Sequence, residues 1–184
     1  MIIAILGKAG SGKTAVAKEV SKALEYPLLE TSNYLKKIGQ LADSHQQREQ
    51  LHDVKYGFQD KDPDWLWKHI EVDLDTLKDK CVISGIREPY LLYKVISRYE
   101  SVFVVGLEVS LFNRYARICQ RDGHISTEKF VFHDHGDVDL GIDIALAGCD
   151  VLVDANGPLT QVVGTVIQLL PKEWMNVDSA SSEQ

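Results

Sequence analysis

The chain has 184 residues, of which 45% are hydrophobic and 26% charged, and its formal net charge is −7. This composition is typical of a globular protein large enough for one domain with a substantial core. The negative charge excludes broad electrostatic adhesion to nucleic acid, although it leaves room for a local basic groove. No apolar run reaches the roughly 18 residues that a membrane span requires, so we expect no membrane contact.

The three cysteines, Cys81, Cys119 and Cys149, are widely spaced and form no C-x-x-C pair. They are typical of buried thiols in a reducing compartment rather than of a disulfide or metal framework. The apolar run at residues 1–6 is too short for a signal peptide and lacks its basic flank. We therefore expect a cytoplasmic protein.

Five short apolar runs, rich in Val, Ile and Leu, predict strands of a parallel sheet covered on both faces. They are Ile2–Leu6, Pro27–Leu29, Cys81–Ser84, Val102–Leu107 and Val151–Val153. Helical patterns lie between them at Lys13–Leu24, Ser32–Leu41, Asp62 to about Leu77, Glu88–Tyr99, Ser110–Arg121, Asp137–Ala147 and Pro158–Leu170. This alternation indicates one doubly wound α/β domain over residues 1–175. The polar residues 176–184 predict a disordered tail.

The run from Gly7 to Thr14 fits the P-loop pattern G-x-x-x-x-G-K-[ST] at every required position, between an apolar strand and a helix. Glycines in such a loop let backbone N–H groups close around phosphate oxygens, and the helix N-terminus adds partial positive charge. Lys13 would reach the β- and γ-phosphates, and the Thr14 hydroxyl would ligate Mg²⁺. We therefore expect ATP and Mg²⁺ as cofactors. The expected nucleotide contacts are Gly7, Ala9, Gly10, Ser11, Gly12, Lys13, Thr14 and Ala15.

Two long interruptions of the α/β pattern are candidates for functional inserts. Residues 33–80 exceed a single crossover and carry helical patterns, whereas residues 121–137 show little periodicity and contain three histidines. Ligands of parallel α/β sheets bind beyond the carboxyl ends of the strands. We expect a helical acceptor-binding insert at 33–80 and a closing lid at 121–137. The histidines of the lid lack a second close ligand pair, so solvent exposure or substrate contact is favoured over zinc.

Three arginines, Arg114, Arg117 and Arg121, recur at i, i+3 and i+7 and so share one helix face that leads into the predicted lid. Guanidinium groups in that place would neutralise charge on a transferring phosphoryl group. We expect Arg117 and Arg121 to act in catalysis, Arg117 also to contact ATP, and Arg114 to contact substrate. The alternative is a solvated basic face.

The carboxyl ends of the second and third strands carry the residues expected to bind an acceptor. Arg87 suits bidentate phosphate binding, and Arg48 in the insert could hold an acceptor phosphate. Thr31 and Ser32 could hydrogen-bond acceptor groups, though helix capping explains Ser32 equally well. Glu30 could accept a proton from an acceptor hydroxyl or hold a magnesium-bound water. Its alternative role is a favourable interaction with the next helix dipole.

Four stretches, 30–35 (ETSNYL), 82–87 (VISGIR), 114–121 (RYARICQR) and 132–157, resemble the nucleoside monophosphate kinase group. The likeness is strongest to dephospho-coenzyme A kinases and phage deoxynucleoside monophosphate kinases. The resemblance implies a three-layer P-loop kinase fold with a five-stranded parallel sheet in the order 2-3-1-4-5. It also implies that Asn156 and Gly157 line the base of ATP. Relatives commonly carry Asp where this chain has Ser84, so the expected metal ligands are Thr14 and Glu30.

The P-loop and the resemblance together predict an ATP-dependent phosphotransferase. The leading acceptor is a free (deoxy)nucleoside monophosphate. The alternative is a kinase of the hydroxymethyl group of 5-hydroxymethyluracil in phage DNA, which would make DNA the acceptor. If a phage encodes the chain, the expected location is the host cytoplasm. A second alternative is a nucleotide-sensing module without turnover. The sequence leaves the oligomeric state open between monomer and homodimer.

Overall fold

The computed structural model describes residues 1–38, 62–77 and 80–172, in which five strands form one parallel sheet in the order β2-β3-β1-β4-β5. The strands are β1 Ile2–Leu6, β2 Leu28–Glu30, β3 Cys81–Ser84, β4 Val102–Glu108 and β5 Val151–Asp154. Each predicted strand agrees with the observed one to within one residue at either end. The predicted sheet order is confirmed.

Helices cover both faces of this sheet. In the described part of the chain they are α1 Lys13–Leu24, α2 Thr31–Ile38, α3 Trp65–Thr76, α4 Pro89–Arg98, α5 Leu111–Asp122, α6 Thr127–Asp139, α7 Ile142–Ala147 and α8 Leu159–Leu169. None of these helices combines the length and the apolar character that a bilayer crossing demands. The predicted contact residue Arg48, most of the predicted insert and the predicted tail at 176–184 lie outside the described residues.

The central strand β1 separates two hydrophobic cores. Ile2, Ala4 and Leu6 pack on one side, with residues of α2, α3 and α4, whereas Ile3 and Ile5 pack on the other, with residues of α1 and α8. All five side chains are fully buried. Because both faces of the strand are covered, its sequence is a continuous apolar run rather than an alternating one. This arrangement also fixes the end of β1, and with it the start of the P-loop.

The stretch predicted to lack periodicity, residues 121–137, is largely helical. The Ser126 hydroxyl accepts a hydrogen bond from the backbone N–H of Lys129 at 3.2 Å and so caps α6. Phe130 anchors the helix on α5 through an edge-to-face contact with Tyr115, with ring centroids 5.3 Å apart. The apolar pattern is weak because α6 buries only Phe130, Gly136 and Asp137 along its length.

The helix predicted over Asp137–Ala147 is interrupted by Gly141. Its φ is 88°, a left-handed conformation that favours glycine. A Cβ atom at this position would lie 2.7 Å from Cδ of Pro89 at the start of α4. Gly141 therefore ends α6, redirects the chain into α7 and permits the close approach of α4. The continuous helix predicted here was wrong for that reason.

We expect Gly141→Ala to lower the free energy of unfolding by about 2–4 kcal/mol, because it adds a steric clash to the left-handed backbone strain. Gly12→Ala is the matched control: its backbone is also left-handed, with φ 87° and ψ 8°, but the nearest atom to the added Cβ, Nη1 of Arg117, is 3.7 Å away, an ordinary contact. That variant should lose only about 1–2 kcal/mol. Urea denaturation measures both. Equal losses would show that the contact with Pro89 is unimportant.

Candidate phosphate-binding site

The P-loop joins β1 to α1 and is shaped by glycines. Gly10 and Gly12 have φ angles of 79° and 87°. The N–H of Ser11 donates to the carbonyl of Lys8 at 3.1 Å, and the Lys13 ammonium donates to that same carbonyl at 3.3 Å. The loop therefore holds a tight turn directly before the first turn of α1, whose N–H groups have no partners within the helix.

Gly10 also permits a close contact between the P-loop and α5. A Cβ atom on this residue would lie 2.6 Å from the backbone carbonyl oxygen of Arg114. Any side chain would push the two elements apart. The glycine is thus required by packing as well as by its positive φ.

A cavity of about 520 Å³ lies between the P-loop, the carboxyl ends of β2 and β3, and helices α5 and α6. Its volume is in the range of small-ligand sites. The predicted site residues that line it are Ala9, Gly10, Gly12, Lys13, Thr14, Ala15, Thr31, Ser32, Arg87, Arg117 and Arg121. The structure thus brings the predicted phosphate loop and most of the predicted acceptor contacts to one cavity.

The lining is strongly basic. Within the described residues, five basic side chains contribute to it, against the single carboxylate of Asp137. The basic residues are Lys13, Lys18, Arg87, Arg117 and Arg121. The whole chain carries a formal net charge of −7. Positive charge is therefore concentrated at this site, which suits a ligand with several negative charges.

His133 and Asp137 of α6, and Leu140 directly after it, also line the cavity. The sequence predicts no role for Asp137 or Leu140, and for His133 it leaves substrate contact open beside solvent exposure. The three residues recur at i, i+4 and i+7 and therefore share one helix face. That spacing would have identified them had the stretch been recognised as a helix. Helical spacing could also have identified Lys18 as a lining residue, since Lys18 follows Thr14 by four positions on α1.

The carboxylate of Asp137 connects two parts of the cavity wall. Its Oδ2 accepts a hydrogen bond from the backbone N–H of Ala9 at 2.7 Å. Its Oδ1 lies 2.9 Å from Nε of Arg87. The Asp137 side chain is only 8% exposed, so both interactions act in surroundings that screen charge poorly.

Arg117 bridges the P-loop and the loop that follows β5. Its guanidinium donates to the carbonyl of Ser11 at 3.2 Å, and to the carbonyls of Ala155 at 2.8 Å and Asn156 at 3.3 Å. The predicted ATP contact Arg117 therefore lies against the phosphate loop. The loop residue Ser11 is itself buried, and neither Ser11 nor Gly7 lines the cavity.

The predicted base contacts Asn156 and Gly157 lie beside the cavity rather than in its lining. The Asn156 side-chain oxygen accepts hydrogen bonds from Ser110 N–H at 3.0 Å and from Asn113 Nδ2 at 2.9 Å. The backbone N–H and the side chain of Asn156 both hydrogen-bond Asp154 and lower the pKa of that carboxyl. These contacts fix the loop after β5 against the start of α5.

Arg114 is not among the residues that line the cavity, and its predicted contact with substrate stays a prediction. It is buried, its guanidinium pairs with Asp134 and donates to the carbonyl of Ala9 at 3.3 Å, and it stacks over the Phe130 ring. Arg114 and Arg121 point in nearly the same direction from α5 but lie seven residues, about 10 Å, apart along its axis. Arg114 therefore meets Asp134 and Phe130 of α6, whereas Arg121 lines the cavity.

Arg121 and Glu30 have ion-pair partners of their own. The Arg121 side chain is 57% exposed and hydrogen-bonds Asp122, which raises the already high pKa of the guanidinium. The Glu30 carboxylate lies 3.7 Å from the Lys18 ammonium and is not part of the lining. Glu30 pairs in register with Ser84 of β3, and it is Ser84 that contributes to the cavity. A catalytic or metal-binding role for Glu30 therefore stays a prediction.

The cavity fits a magnesium ion that arrives with a polyphosphate. Across the described ranges, no group of three or more His, Cys, Asp or Glu residues could hold a metal by itself. Mg²⁺ in nucleotide sites keeps several waters and needs only one or two protein ligands beside the phosphates. Thr14 lines the cavity at the phosphate loop and can supply one such ligand.

Comparisons with known proteins identify the fold. No protein-family model matches the chain, and no curated protein sequence matches it. Solved structures do match. The shikimate kinase of Aquifex aeolicus vf5 is 17% identical with a TM-score of 0.60, and the match covers 91% of this chain and 95% of that one. This chain has the P-loop kinase fold.

Two further structures support that assignment. A gluconokinase from Sinorhizobium meliloti 1021 is 20% identical with a TM-score of 0.59, covering 95% of this chain and 96% of that one. The shikimate kinase from Acinetobacter baumannii in complex with shikimate is 15% identical with a TM-score of 0.63, covering 91% of both chains. The P-loop kinase fold implied by the sequence resemblance is thus confirmed, whereas the nucleoside monophosphate kinase group stays a prediction.

The two ends of the arginine stripe should respond differently to substitution. Arg114→Met should lower the free energy of unfolding by about 2–4 kcal/mol, because it leaves Asp134 and the Ala9 carbonyl without this partner in a largely buried place. Arg121→Met, the control on the same helix, removes an exposed pair and should cost less than about 1 kcal/mol. Chemical denaturation measures both variants. Similar losses for the two would contradict the structural role of Arg114.

Proposed function

We propose that the chain is an ATP-dependent phosphotransferase that moves the γ-phosphoryl group of Mg-ATP to a nucleotide-type acceptor, a (deoxy)nucleoside monophosphate. The observation that carries the proposal is the basic cavity that begins at a complete P-loop. The five basic side chains among the described lining residues are more than a single triphosphate would require. Binding of both a donor triphosphate and an acceptor phosphate would explain them.

The donor half of the site is formed by the P-loop and α1. Backbone N–H groups of residues 10–15 would bind phosphate oxygens, with the helix N-terminus favouring their negative charge. The Lys13 ammonium would leave the Lys8 carbonyl and bind the β- and γ-phosphates. Magnesium, held by Thr14 and the phosphates, would neutralise charge that develops during transfer. Arg117 would stabilise the same charge from α5.

The acceptor half lies toward β2, β3 and α6. Thr31 and Ser32, at the start of α2, offer hydroxyl groups, and Arg87 offers a guanidinium that suits a phosphate monoester. Arg121 of α5 lines the same cavity. Direct transfer would require a group bound by these residues to face the phosphate held at the P-loop. The named structures that share the fold are kinases, which favours transfer over binding without turnover.

A hydroxyl group is the second candidate acceptor, because the matching structures are named shikimate kinase and gluconokinase. The hydroxymethyl group of 5-hydroxymethyluracil in DNA belongs to this class. Such an acceptor would use a carboxylate as proton acceptor. Glu30 is 3.7 Å from Lys18 and outside the lining, and the lining carboxylate Asp137 is paired with Arg87. This geometry supports the phosphate acceptor more than the hydroxyl one.

Incubation with γ-labelled ATP and a panel of acceptors separates these candidates. The panel contains (deoxy)nucleoside monophosphates, dephospho-coenzyme A, shikimate, gluconate and DNA with 5-hydroxymethyluracil. We expect label on one or more monophosphates. Label on a hydroxyl compound or on DNA alone would replace the leading acceptor by the second candidate. Retained ATP binding with label on nothing would support the nucleotide-sensing alternative.

Lys13→Ala should reduce the transfer rate by at least about 10²–10³-fold, because the ammonium stabilises charge on the transferring group. Lys22→Ala on the same helix is the control, since Lys22 is exposed in the last turn and far from the phosphate loop. It should retain full activity. Steady-state kinetics with labelled ATP measures both. A Lys13→Ala variant with undiminished kcat would contradict the proposed mechanism.

A further inference from the structure

We propose that Asp137 is a positioning residue that couples the phosphate loop to the acceptor-side guanidinium, by binding Ala9 with one carboxylate oxygen and Arg87 with the other. This inference rests on the proposed function and extends it. It assigns a task to a residue that neither the P-loop pattern nor the fold comparison assigns. The acceptor and the donor would then be aligned by one side chain on α6.

A carboxylate is an unexpected group in this cavity. It is the single acidic side chain among the described lining residues, and it would repel phosphate groups if it stood alone. The distances of 2.7 Å to Ala9 N and 2.9 Å to Arg87 Nε show how that charge is balanced. Its placement is therefore explained by the two groups that it holds, since a neutral side chain would suit an anionic ligand better.

The ion pair also holds the guanidinium in place. Nε of Arg87 lies 2.9 Å from Oδ1 of Asp137, but its N–H makes no aligned hydrogen bond among the described residues, so the contact is electrostatic. The low exposure of the carboxylate strengthens this attraction. A bidentate bond to phosphate or carboxylate commonly uses two of the five N–H donors of a guanidinium. An acceptor anion would therefore meet a cation whose position is set before binding.

The fold does not depend on Asp137 for the attachment of α6. One turn earlier, Asp134 pairs with the buried Arg114, and Phe130 packs against Tyr115 of α5. Further along, Asp143 of α7 lies 2.7 Å from the Lys8 ammonium of the P-loop. These contacts hold α6 and α7 in place. The two interactions of Asp137 can thus be altered separately from folding.

Two substitutions separate the two interactions. In Asp137→Asn, the amide oxygen can still accept the Ala9 N–H, but the neutral amide no longer pairs with Arg87. MgATP affinity should stay within about threefold of wild type, whereas the KM for the acceptor should rise about tenfold. Asp137→Ala removes both bonds, so MgATP affinity should also fall about tenfold. Asp139→Asn, exposed on the same helix, is the control and should change neither quantity.

The measurements use the full chain: calorimetric titration with MgATP, acceptor KM and kcat for the monophosphate found by the panel, and thermal unfolding. Arg87→Gln should raise the acceptor KM by itself. Combined with Asp137→Asn it should raise the KM no further, because both changes remove the same ion pair. Additive effects of the two substitutions, or losses of thermal stability without any change in affinity or KM, would overturn the proposal.

One readout does not depend on any acceptor. The amide proton of Ala9, hydrogen-bonded to a buried carboxylate, should change its NMR shift in Asp137→Ala far more than in Arg87→Gln. If the panel yields no acceptor, the proposed function fails, while this shift and the MgATP affinities still test the coupling at the P-loop. Unchanged Ala9 shift and unchanged MgATP affinity in Asp137→Ala would overturn the inference independently.

Discussion

The phosphate loop is held at Ala9, whose backbone N–H and carbonyl are both hydrogen-bonded by charged side chains. Its N–H donates to the buried carboxylate of Asp137, and its carbonyl accepts from the buried guanidinium of Arg114. Both partners come from helices that follow the fourth strand, over a hundred residues away. Charge-assisted hydrogen bonds of this kind are stronger than neutral ones, so the loop is held from the outside as well as by its own glycines.

The parts of the fold that could be predicted are those that local sequence determines. A strand buried on both faces has a continuous apolar sequence. The strand Ile2–Leu6 can therefore be recognised without knowing which elements pack against it. Helix α6 could not be found this way, because one of its few buried positions is Asp137, a residue type usually exposed. The break at Gly141 was also hidden, since it depends on contact with Pro89, over fifty positions earlier.

The same division applies to the site. Lys13 and Thr14 belong to a contiguous pattern with a fixed geometry, and the structure places both in the cavity. Arg114 and Arg121 belong to one helical stripe, yet the first is buried against Asp134 and the second is largely exposed. The spacing of residues in the sequence shows which of them share a helix face, but not which side chains of other elements pack against that face. Roles that depend on such partners required the tertiary structure.

The contrast between a basic cavity and an acidic chain has a kinetic consequence. Low-dielectric walls concentrate field lines in a cleft, so the association of small polyanions with this cavity would be accelerated. Added salt shortens the range of that attraction to about 10 Å at 0.1 M. A long phosphodiester would also interact with the rest of the chain, whose formal net charge of −7 is repulsive to it. Raising the ionic strength should therefore slow the association of small anions with the cavity. It should also weaken the electrostatic repulsion between the chain and a long phosphodiester.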